Sequence, residues 1–185
     1  MRKTLEVVDD FHPNPAALTR RVLHASGSAT ADPAAPSRGR FVGPRYIDPR
    51  TIAAIGDLLG ITADRTVPQP DTGRFVLRDH DVPGDDAPRP ERVDWMAILF
   101  LSPPTLRSDA GLTFWRQRAG AVGPEGWTEC AFVPVRFNRL VLYRPSKVRR
   151  QASPGFGGGV ADGWLSHECG VDLDPTTEGG RSRAQ

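Results

Sequence analysis

The sequence has almost no lysine, only two cysteines and no long hydrophobic run. Lys3 and Lys147 are the only lysines, so nearly all of its basic side chains are arginines. In 185 residues, 24 basic and 22 acidic side chains leave a formal charge of +2, which gives no sign of a nucleic-acid-binding protein. Such a balance remains compatible with small anionic ligands and with protein partners.

The scarcity of cysteines and apolar runs excludes several further classes of protein. Cys130 and Cys169 lie far apart in the sequence, so neither a disulfide framework nor a zinc cluster is supported. The longest apolar run, Trp95 to Leu101, is too short to cross a bilayer. Near the N-terminus, Glu6 interrupts the chain before the apolar stretch of a signal peptide can form. We therefore expect a cytoplasmic protein that binds no membrane.

The length of the chain predicts one domain with one core. We expect that domain to cover residues 1–172, and the polar residues 173–185 to form a flexible tail. A chain of this size has room for one catalytic or binding cavity.

Two helices are predicted near the N-terminus. The Asn14–Pro15 pair supplies a cap and a first-turn proline, which predicts an amphipathic helix over about 15–25. The Asp48–Pro49 pair begins a second helix, in which apolar residues follow at helical spacing until Gly60 ends it. Residues 26–45 between the helices are rich in Ser, Ala, Pro, Gly and Arg, which indicates a long loop.

The chain after the second helix has the pattern of a β-sheet. Short β-prone segments alternate with Pro, Gly and Asp, and a further strand is predicted near 164–171. The five clearest segments are 74–78, 95–101, 112–118, 129–135 and 139–143. Two helices followed by short strands predict an α+β fold, with the helices packed on one face of a largely antiparallel sheet or barrel.

Three stretches of sequence together resemble a known family. They are Asp9–Pro15 (DDFHPNP), Trp95–Pro104 followed by Gly111–Arg118, and Phe137–Arg144 (FNRLVLYR). In this order they resemble the 2-oxoglutarate/Fe(II) dioxygenase-like proteins of the prolyl-hydroxylase type, in particular a small bacterial branch. The resemblance covers most of residues 5–157. It implies a double-stranded β-helix, a jelly-roll or cupin-like barrel, with two N-terminal helices on one sheet and an active site at the open mouth.

The resemblance also implies an iron site, whose residues this sequence lacks. The family holds iron with two histidines and a carboxylate. Its His-x-Asp pair belongs on the strand before Trp95, where this chain reads Leu77–Val82 and offers Arg78 and His80 without the pair. The second histidine belongs shortly after the strand of residues 139–143, where Arg149–Arg150 stands.

A guanidinium has no lone pair to give to iron and stays protonated. The arginine that binds 2-oxoglutarate in the family belongs at the start of the last strand, where this chain has Trp164. We therefore predict that the chain uses neither a metal nor a cofactor. The alternative is an Fe(II)/2-oxoglutarate-dependent hydroxylase with atypical ligands.

A cavity that survives without iron would gather cations at its mouth. Arginine forks bind carboxylate, sulfate or phosphate, and a histidine or carboxylate can transfer a proton. We predict a metal-independent enzyme of natural-product biosynthesis that binds a small anionic metabolite and promotes cyclisation by intramolecular displacement, or elimination of an anionic leaving group. The predicted catalytic residues are His80, Asp79 and Asp81, and the predicted substrate-binding residues are Arg78, Arg116, Arg118 and Arg150.

Other interpretations of the same residues remain open. His80 and the Arg149–Arg150 pair also fit ordinary surface ion pairs. A different metal site with His80, His167, Glu168 or Cys169 would need further ligands. A non-catalytic subunit is the second functional class, because a Gly-rich C-terminal part that fades early would leave a sheet edge for a homodimer or for a helper protein. The pocket distinguishes the two classes. An enzyme should keep a concave pocket lined by arginines, whereas a scaffold could fill that pocket with side chains.

Overall fold

A computed structural model describes residues 3–25, 30–31, 39–61, 66–69, 72–89, 91–103, 109–118, 120 and 126–173. Two helices and antiparallel strands form an α+β fold. The elements are β1 (Leu5–Val8), α1 (Pro15–His24), β2 (Thr30–Ala31), β3 (Arg40–Phe41), α2 (Pro49–Leu59), β4 (Thr66–Pro68), β5 (Arg74–Arg78), β6 (Trp95–Phe100), β7 (Gly111–Gln117), β8 (Trp127–Pro134), β9 (Leu140–Tyr143), β10 (Arg149–Ala152) and β11 (Trp164–Leu173). Within these ranges, neither helix has the length and hydropathy of a membrane span.

Both predicted helices are confirmed, and side-chain caps begin them. The Asn14 side chain accepts a hydrogen bond from the Ala17 N–H at 3.2 Å, and Asp48 accepts one from the Arg50 N–H at 3.0 Å. Each cap satisfies a backbone donor that the first helical turn leaves unpaired. Gly60 ends α2 in the left-handed conformation, with φ of 68°.

The strands form two sheets. The larger has the order β1-β9-β6-β11-β5-β3-β2, with β4 paired to the end of β11, and the smaller has the order β10-β7-β8. The predicted loop at 26–45 contains β2 and β3, because Arg40 and Phe41 pair with Leu77 and Val76 of β5. Residues 26–29 and 32–38 of that loop lie outside the described residues.

The sequence suggested that the last strand ends early, but in the structure it does not. β11 is ten residues long and lies between β6 and β5, with Ser166 opposite Phe100 on one side and Val76 on the other. It runs through Leu173, the first residue assigned to the tail, and residues 174–185 lie outside the described part of the chain. The C-terminal strand is therefore central to the large sheet and leaves no free edge there.

The central strands β6, β9 and β11 of the large sheet pack one face on the helices and the other on the small sheet, because successive side chains alternate. The core on the helix side includes Leu18, Val22, Ile52, Ile55, Phe75, Leu77, Leu99 and Leu165. The core between the sheets includes Ile98, Phe100, Leu112, Phe114, Val133, Val141, Tyr143 and Trp164. The second core also contains charged side chains, which form the candidate site.

Candidate functional site

The space between the two sheets holds an arginine that bridges both, with 13% of its side chain exposed. Arg150 lies on β10 opposite the buried Phe114 of β7, so its side chain points away from solvent. Its Nε donates to Glu91 Oε1 at 2.7 Å, and its two terminal nitrogens donate to the two oxygens of Glu168 on β11 at 3.3 and 3.2 Å. The Tyr143 hydroxyl on β9 donates to the other oxygen of Glu91. One guanidinium thus joins the small sheet to two carboxylates.

A second arginine cluster adjoins the first. The Arg78 Nη2 at the end of β5 donates to the carbonyl oxygens of Pro83 at 2.9 Å and Ser153 at 3.2 Å, and lies 4.0 Å from Asp85 Oδ1. Arg89 is hydrogen-bonded to the same Asp85 oxygen. The other Asp85 oxygen accepts from the backbone N–H of Ala152 at 2.9 Å.

We call these residues together the interior cluster. Its members are Arg78, Asp85, Arg89, Glu91, Tyr143, Arg150 and Glu168. Three guanidinium groups face three carboxylates, so their charges balance. Burial alone would lower the pKa of Arg150, but Glu168 and Glu91 outweigh it and raise that pKa well above its usual value. Burial lowers the pKa of Arg78 to about 10, which still leaves it charged at neutral pH.

Three members of the cluster come from the connection between β5 and β6, which runs along the edge of β10. Asp85 N–H donates to the Ala152 carbonyl at 2.9 Å, and Arg89 N–H donates to the Arg150 carbonyl at 2.8 Å. The Gln151 side chain adds a bond to the Asp85 carbonyl at 2.7 Å. We call residues 85–89 together with Glu91 the edge segment. It supplies Asp85, Arg89 and Glu91 to the space between the sheets.

The structure brings two of the predicted binding residues, Arg78 and Arg150, into one cluster. It also separates Arg150 from Arg149, whose guanidinium lies on the opposite face of β10, 4.4 Å from the centre of the Trp127 ring. Arg116 and Arg118 lie at the exposed end of β7 and beyond it, outside the cluster. Arg118 there donates to the Thr128 hydroxyl at 2.7 Å.

The three predicted proton-transfer residues lie outside the cluster. His80 and Asp81 pair with each other at 3.2 Å, with 68% and 75% of their side chains exposed. Asp79 is buried but forms an ion pair with Arg40 of β3. The chain turns away from the sheet after Arg78, which carries His80 toward the Gly157 carbonyl, 2.8 Å from its Nδ1.

The residues at the implied iron positions do not fit an iron ion. The side chains that face the space between the sheets at those positions are Arg78 and Arg150, and both are engaged as hydrogen-bond donors. A guanidinium offers no lone pair to a metal. Trp164, at the position implied for the 2-oxoglutarate arginine, lies opposite Arg78 on β11 with that guanidinium 5.3 Å from its ring centre. A neutral indole forms no ion pair with the carboxylate of 2-oxoglutarate.

The other metal set considered from sequence is divided between two faces of β11. His167 and Cys169 face the helix side, whereas Glu168 between them faces Arg150. His167 Nε2 donates to the Tyr46 carbonyl at 2.9 Å, and burial raises the pKa of the Cys169 thiol to about 12. In the described part of the chain, no three His, Cys, Asp or Glu side chains group closely enough to hold a metal ion.

Sequence reasoning missed four members of the cluster, Asp85, Arg89, Glu91 and Tyr143, and considered Glu168 only as a metal ligand. Glu168 had a signal, because alternation on the predicted last strand places it on the face opposite the apolar Leu165 and Val171. Glu91 had none, since it lies in a connection that forms no strand. A small pocket of about 150 Å³ is lined by residues 109–110 and 153–156, none of which belongs to the interior cluster.

Comparison with known proteins shows the fold. No protein-family model matches the chain, and no curated protein matches it. Among solved structures, the non-heme alpha ketoglutarate-dependent epimerase SnoN from nogalamycin biosynthesis is similar, with a TM-score of 0.55, 13% identity, and coverage of 99% of this chain and 88% of that one. SnoN in complex with Fe3+, alpha ketoglutarate and nogalamycin RO is similar with a TM-score of 0.52 and 16% identity, over 95% of this chain and 80% of that one. A prolyl 4-hydroxylase from Phytophthora capsici is similar with a TM-score of 0.51 and 13% identity, over 100% of this chain and 64% of that one. The chain therefore has the fold of the 2-oxoglutarate/Fe(II) dioxygenase-like proteins.

Proposed function

We propose that this protein is a non-redox enzyme with the double-stranded β-helix of the oxygenases. In this proposal it binds a small anionic metabolite between its two sheets. It promotes an intramolecular displacement or an elimination there, without iron and without 2-oxoglutarate. The setting that we propose is specialised biosynthesis, to which the structural neighbour SnoN also belongs.

The observation that carries the proposal is that arginines and carboxylates occupy the place where the resemblance implies an iron site. Arg78 and Arg150 stand where the resemblance implies iron ligands. Glu91 and Glu168 both accept hydrogen bonds from Arg150, and the Tyr143 hydroxyl donates to Glu91. Such a cluster contains carboxylates that can accept a proton beside a guanidinium that can stabilise negative charge. Acid–base catalysis requires both kinds of group.

The proposed reaction needs no oxidant. A hydroxyl or amine of the substrate attacks the carbon that bears the leaving group, and its proton passes to the Glu168 carboxylate. The leaving group departs with the bonding electron pair as an anion and is stabilised by Arg150. The protein contributes mainly orientation and charge stabilisation, which dominate ring closures of this kind.

Glu168 and His80 are competing candidates for the proton acceptor. Glu168 is in contact with Arg150, while His80 is exposed beside Asp81. The structure therefore favours Glu168, and the involvement of His80, Asp79 and Asp81 stays a prediction. Glu168→Gln keeps the shape of the side chain but removes the proton acceptor, so it is the more informative variant.

A non-catalytic subunit of a heteromeric complex is the second candidate. The balanced ion pairs favour it, because the guanidinium groups of the interior cluster are already bonded to protein carboxylates and carbonyls. A scaffold would gain structural stability from such a network without needing an open cavity.

An extract assay separates these functions. Protein treated with a chelator is incubated with a small-molecule extract of the source cells, and mass spectrometry follows which anions are consumed. We expect an anion to be converted to a product that lacks the leaving group, without added iron, 2-oxoglutarate or oxygen. Glu168→Gln should abolish that conversion, and Glu129→Gln, on the exposed β8, should not.

Two results would overturn the proposal. A product that gains one oxygen atom, formed only with iron and 2-oxoglutarate and accompanied by succinate, would establish an oxygenase with atypical ligands. If no anion is consumed by folded protein, the non-catalytic candidate replaces the enzyme.

A further inference from the structure

Two of the three carboxylates in the interior cluster belong to one short stretch of chain. Asp85 and Glu91 both lie on the edge segment, whereas Glu168 lies on the central strand β11. The edge segment is held along β10 by the two backbone hydrogen bonds of Asp85 and Arg89 and by the Gln151 side chain. Movement of this one segment would therefore withdraw two negative charges together.

Each of these carboxylates occupies a well-formed place for an anion. The Asp85 carboxylate lies between Arg78 and Arg89 and also accepts the N–H of Ala152. The Glu91 carboxylate accepts the Nε of Arg150 and the hydroxyl of Tyr143. Donors from guanidinium, hydroxyl and backbone groups that converge on one carboxylate would bind another small anion in the same way.

The charge of the cluster without these two groups indicates the ligand. Three guanidinium groups would then face Glu168 alone, which leaves a net charge of +2. A buried excess of two positive charges is costly unless an anion compensates it. A ligand with two negative charges restores the balance that Asp85 and Glu91 now provide.

We infer that Asp85 and Glu91 are internal substitutes for the ligand, and that the interior cluster is a binding site for a small dianion. When the dianion enters, it displaces these carboxylates from Arg78, Arg89 and Arg150, and Glu168 stays in place. The site is thus closed by its own acidic residues while it is empty. This inference rests on the proposed function for the location of the site, and adds the class of ligand and the groups with which that ligand competes.

Binding of simple anions to the full chain tests the inference. Isothermal titration calorimetry measures the affinity of inorganic phosphate, malonate and acetate for the wild type and for Glu91→Gln. The amide keeps the size of Glu91 and an oxygen for Arg150, but it removes one competing charge. We expect Glu91→Gln, which leaves the cluster a net charge of +1, to bind all three anions more tightly than the wild type does. Glu91→Gln combined with Asp85→Asn leaves +2 and should bind phosphate or malonate about tenfold more tightly than either single variant, with a much smaller gain for the monoanion acetate.

Three comparisons make the result specific. The matched control Glu129→Gln, an exposed strand residue, should bind all three anions as the wild type does. Asp85→Asn should increase the affinity for the anions as Glu91→Gln does, because it removes the negative charge that lies between Arg78 and Arg89. Addition of Arg150→Met to Glu91→Gln should remove the gain, with circular dichroism and thermal unfolding as the measure that each variant is folded.

The inference is overturned if folded Glu91→Gln and folded Asp85→Asn bind phosphate and malonate no more tightly than the wild type. It is also overturned if acetate gains as much as the dianions in the double variant Asp85→Asn/Glu91→Gln, because a net charge of +2 would then not select the ligand. Binding requires no turnover, so its outcome is separate from that of the proposed enzyme. If the variants bind dianions more tightly and the protein consumes no metabolite, only the catalytic proposal is overturned.

Discussion

The two faces of the large sheet enclose different interiors. On the helix side, apolar residues such as Phe75, Leu99 and Leu165 pack against α1 and α2. On the side of the small sheet, the same strands carry Arg78 and Glu168 into a cluster of ion pairs. One face is therefore organised by apolar packing alone, and the other combines apolar packing with a cluster of ion pairs.

β11 shows the difference within a single strand. Leu165, Cys169 and Val171 face the helices, and Glu168 faces Arg150. Hydrophobic burial on the first face stabilises the sheet whatever the second face contains. That separation allows a fold known from iron enzymes to carry guanidinium groups at the implied ligand positions. The predictions below test how independent the two faces are.

The largest effect is expected for Arg150→Met on the charged face. The change leaves Glu91 and Glu168 without their shared cation, and removing one partner of a buried ion pair typically costs about 3–5 kcal/mol. Urea unfolding at pH 7 measures the free energy of unfolding.

Arg149→Met is the control, because the neighbouring arginine lies on the outer face of the same strand over Trp127. Its loss should cost about 1 kcal/mol or less, the usual value of an exposed cation–π contact. Equal effects of the two variants would show that the interior cluster contributes no more than a surface contact.

The next effect concerns the apolar face. Ile55 on α2 is fully buried in the helix-side core, and Ile55→Ala should lower the free energy of unfolding by about 2–4 kcal/mol through lost burial and a cavity. Ile47→Ala deletes the same atoms from a side chain that is 40% exposed, and should cost about 1 kcal/mol or less. Because the faces are separate, Ile55→Ala and Arg150→Met should be additive within about 0.5 kcal/mol.

A smaller, pH-dependent effect comes from His167, which is buried on the helix side against the ring of Phe75. Burial lowers the pKa of His167, so the folded state disfavours its protonated form. The free energy of unfolding should therefore fall as the pH drops below about 6.5, by at most about 1.4 kcal/mol per pH unit. His167→Gln should flatten the profile between pH 7 and 5.5. A wild-type profile that is flat over this range would contradict the assignment.

The sequence predicted the helix side of the molecule better than the charged side. The Asn14–Pro15 and Asp48–Pro49 caps and the apolar spacing determine the helices locally, and alternation determines the long strands. β10 escaped prediction because Arg149–Ala152 has little β-propensity and becomes a strand only through its pairing with β7. β3 became a strand in the same way, by pairing with β5.

The candidate site was predicted only in part for a related reason. Arg78 and Arg150 could be placed inside from the family resemblance, but the carboxylates that hold them lie between 7 and 59 residues away in sequence. Single-sequence patterns carry no information on such partners. His80 was favoured because a histidine between aspartates suits proton transfer, and only the turn after β5 shows that it points to solvent.

The smallest effect is expected where the same kind of ion pairing occurs at the surface. Asp9 accepts hydrogen bonds from Arg139 at 2.6 Å and Arg136 at 2.8 Å, and the Arg139 bond is the main reason that the pKa of Asp9 is lowered. Solvent screens such pairs, so Asp9→Asn should cost about 1 kcal/mol or less, and 1 M NaCl should remove most of that difference. The same salt should leave the effect of Arg150→Met nearly unchanged, since screening hardly reaches buried pairs. If salt reduces both effects equally, the interior cluster is as accessible to solvent as the surface pair, and the contrast between the charged face and the surface is lost.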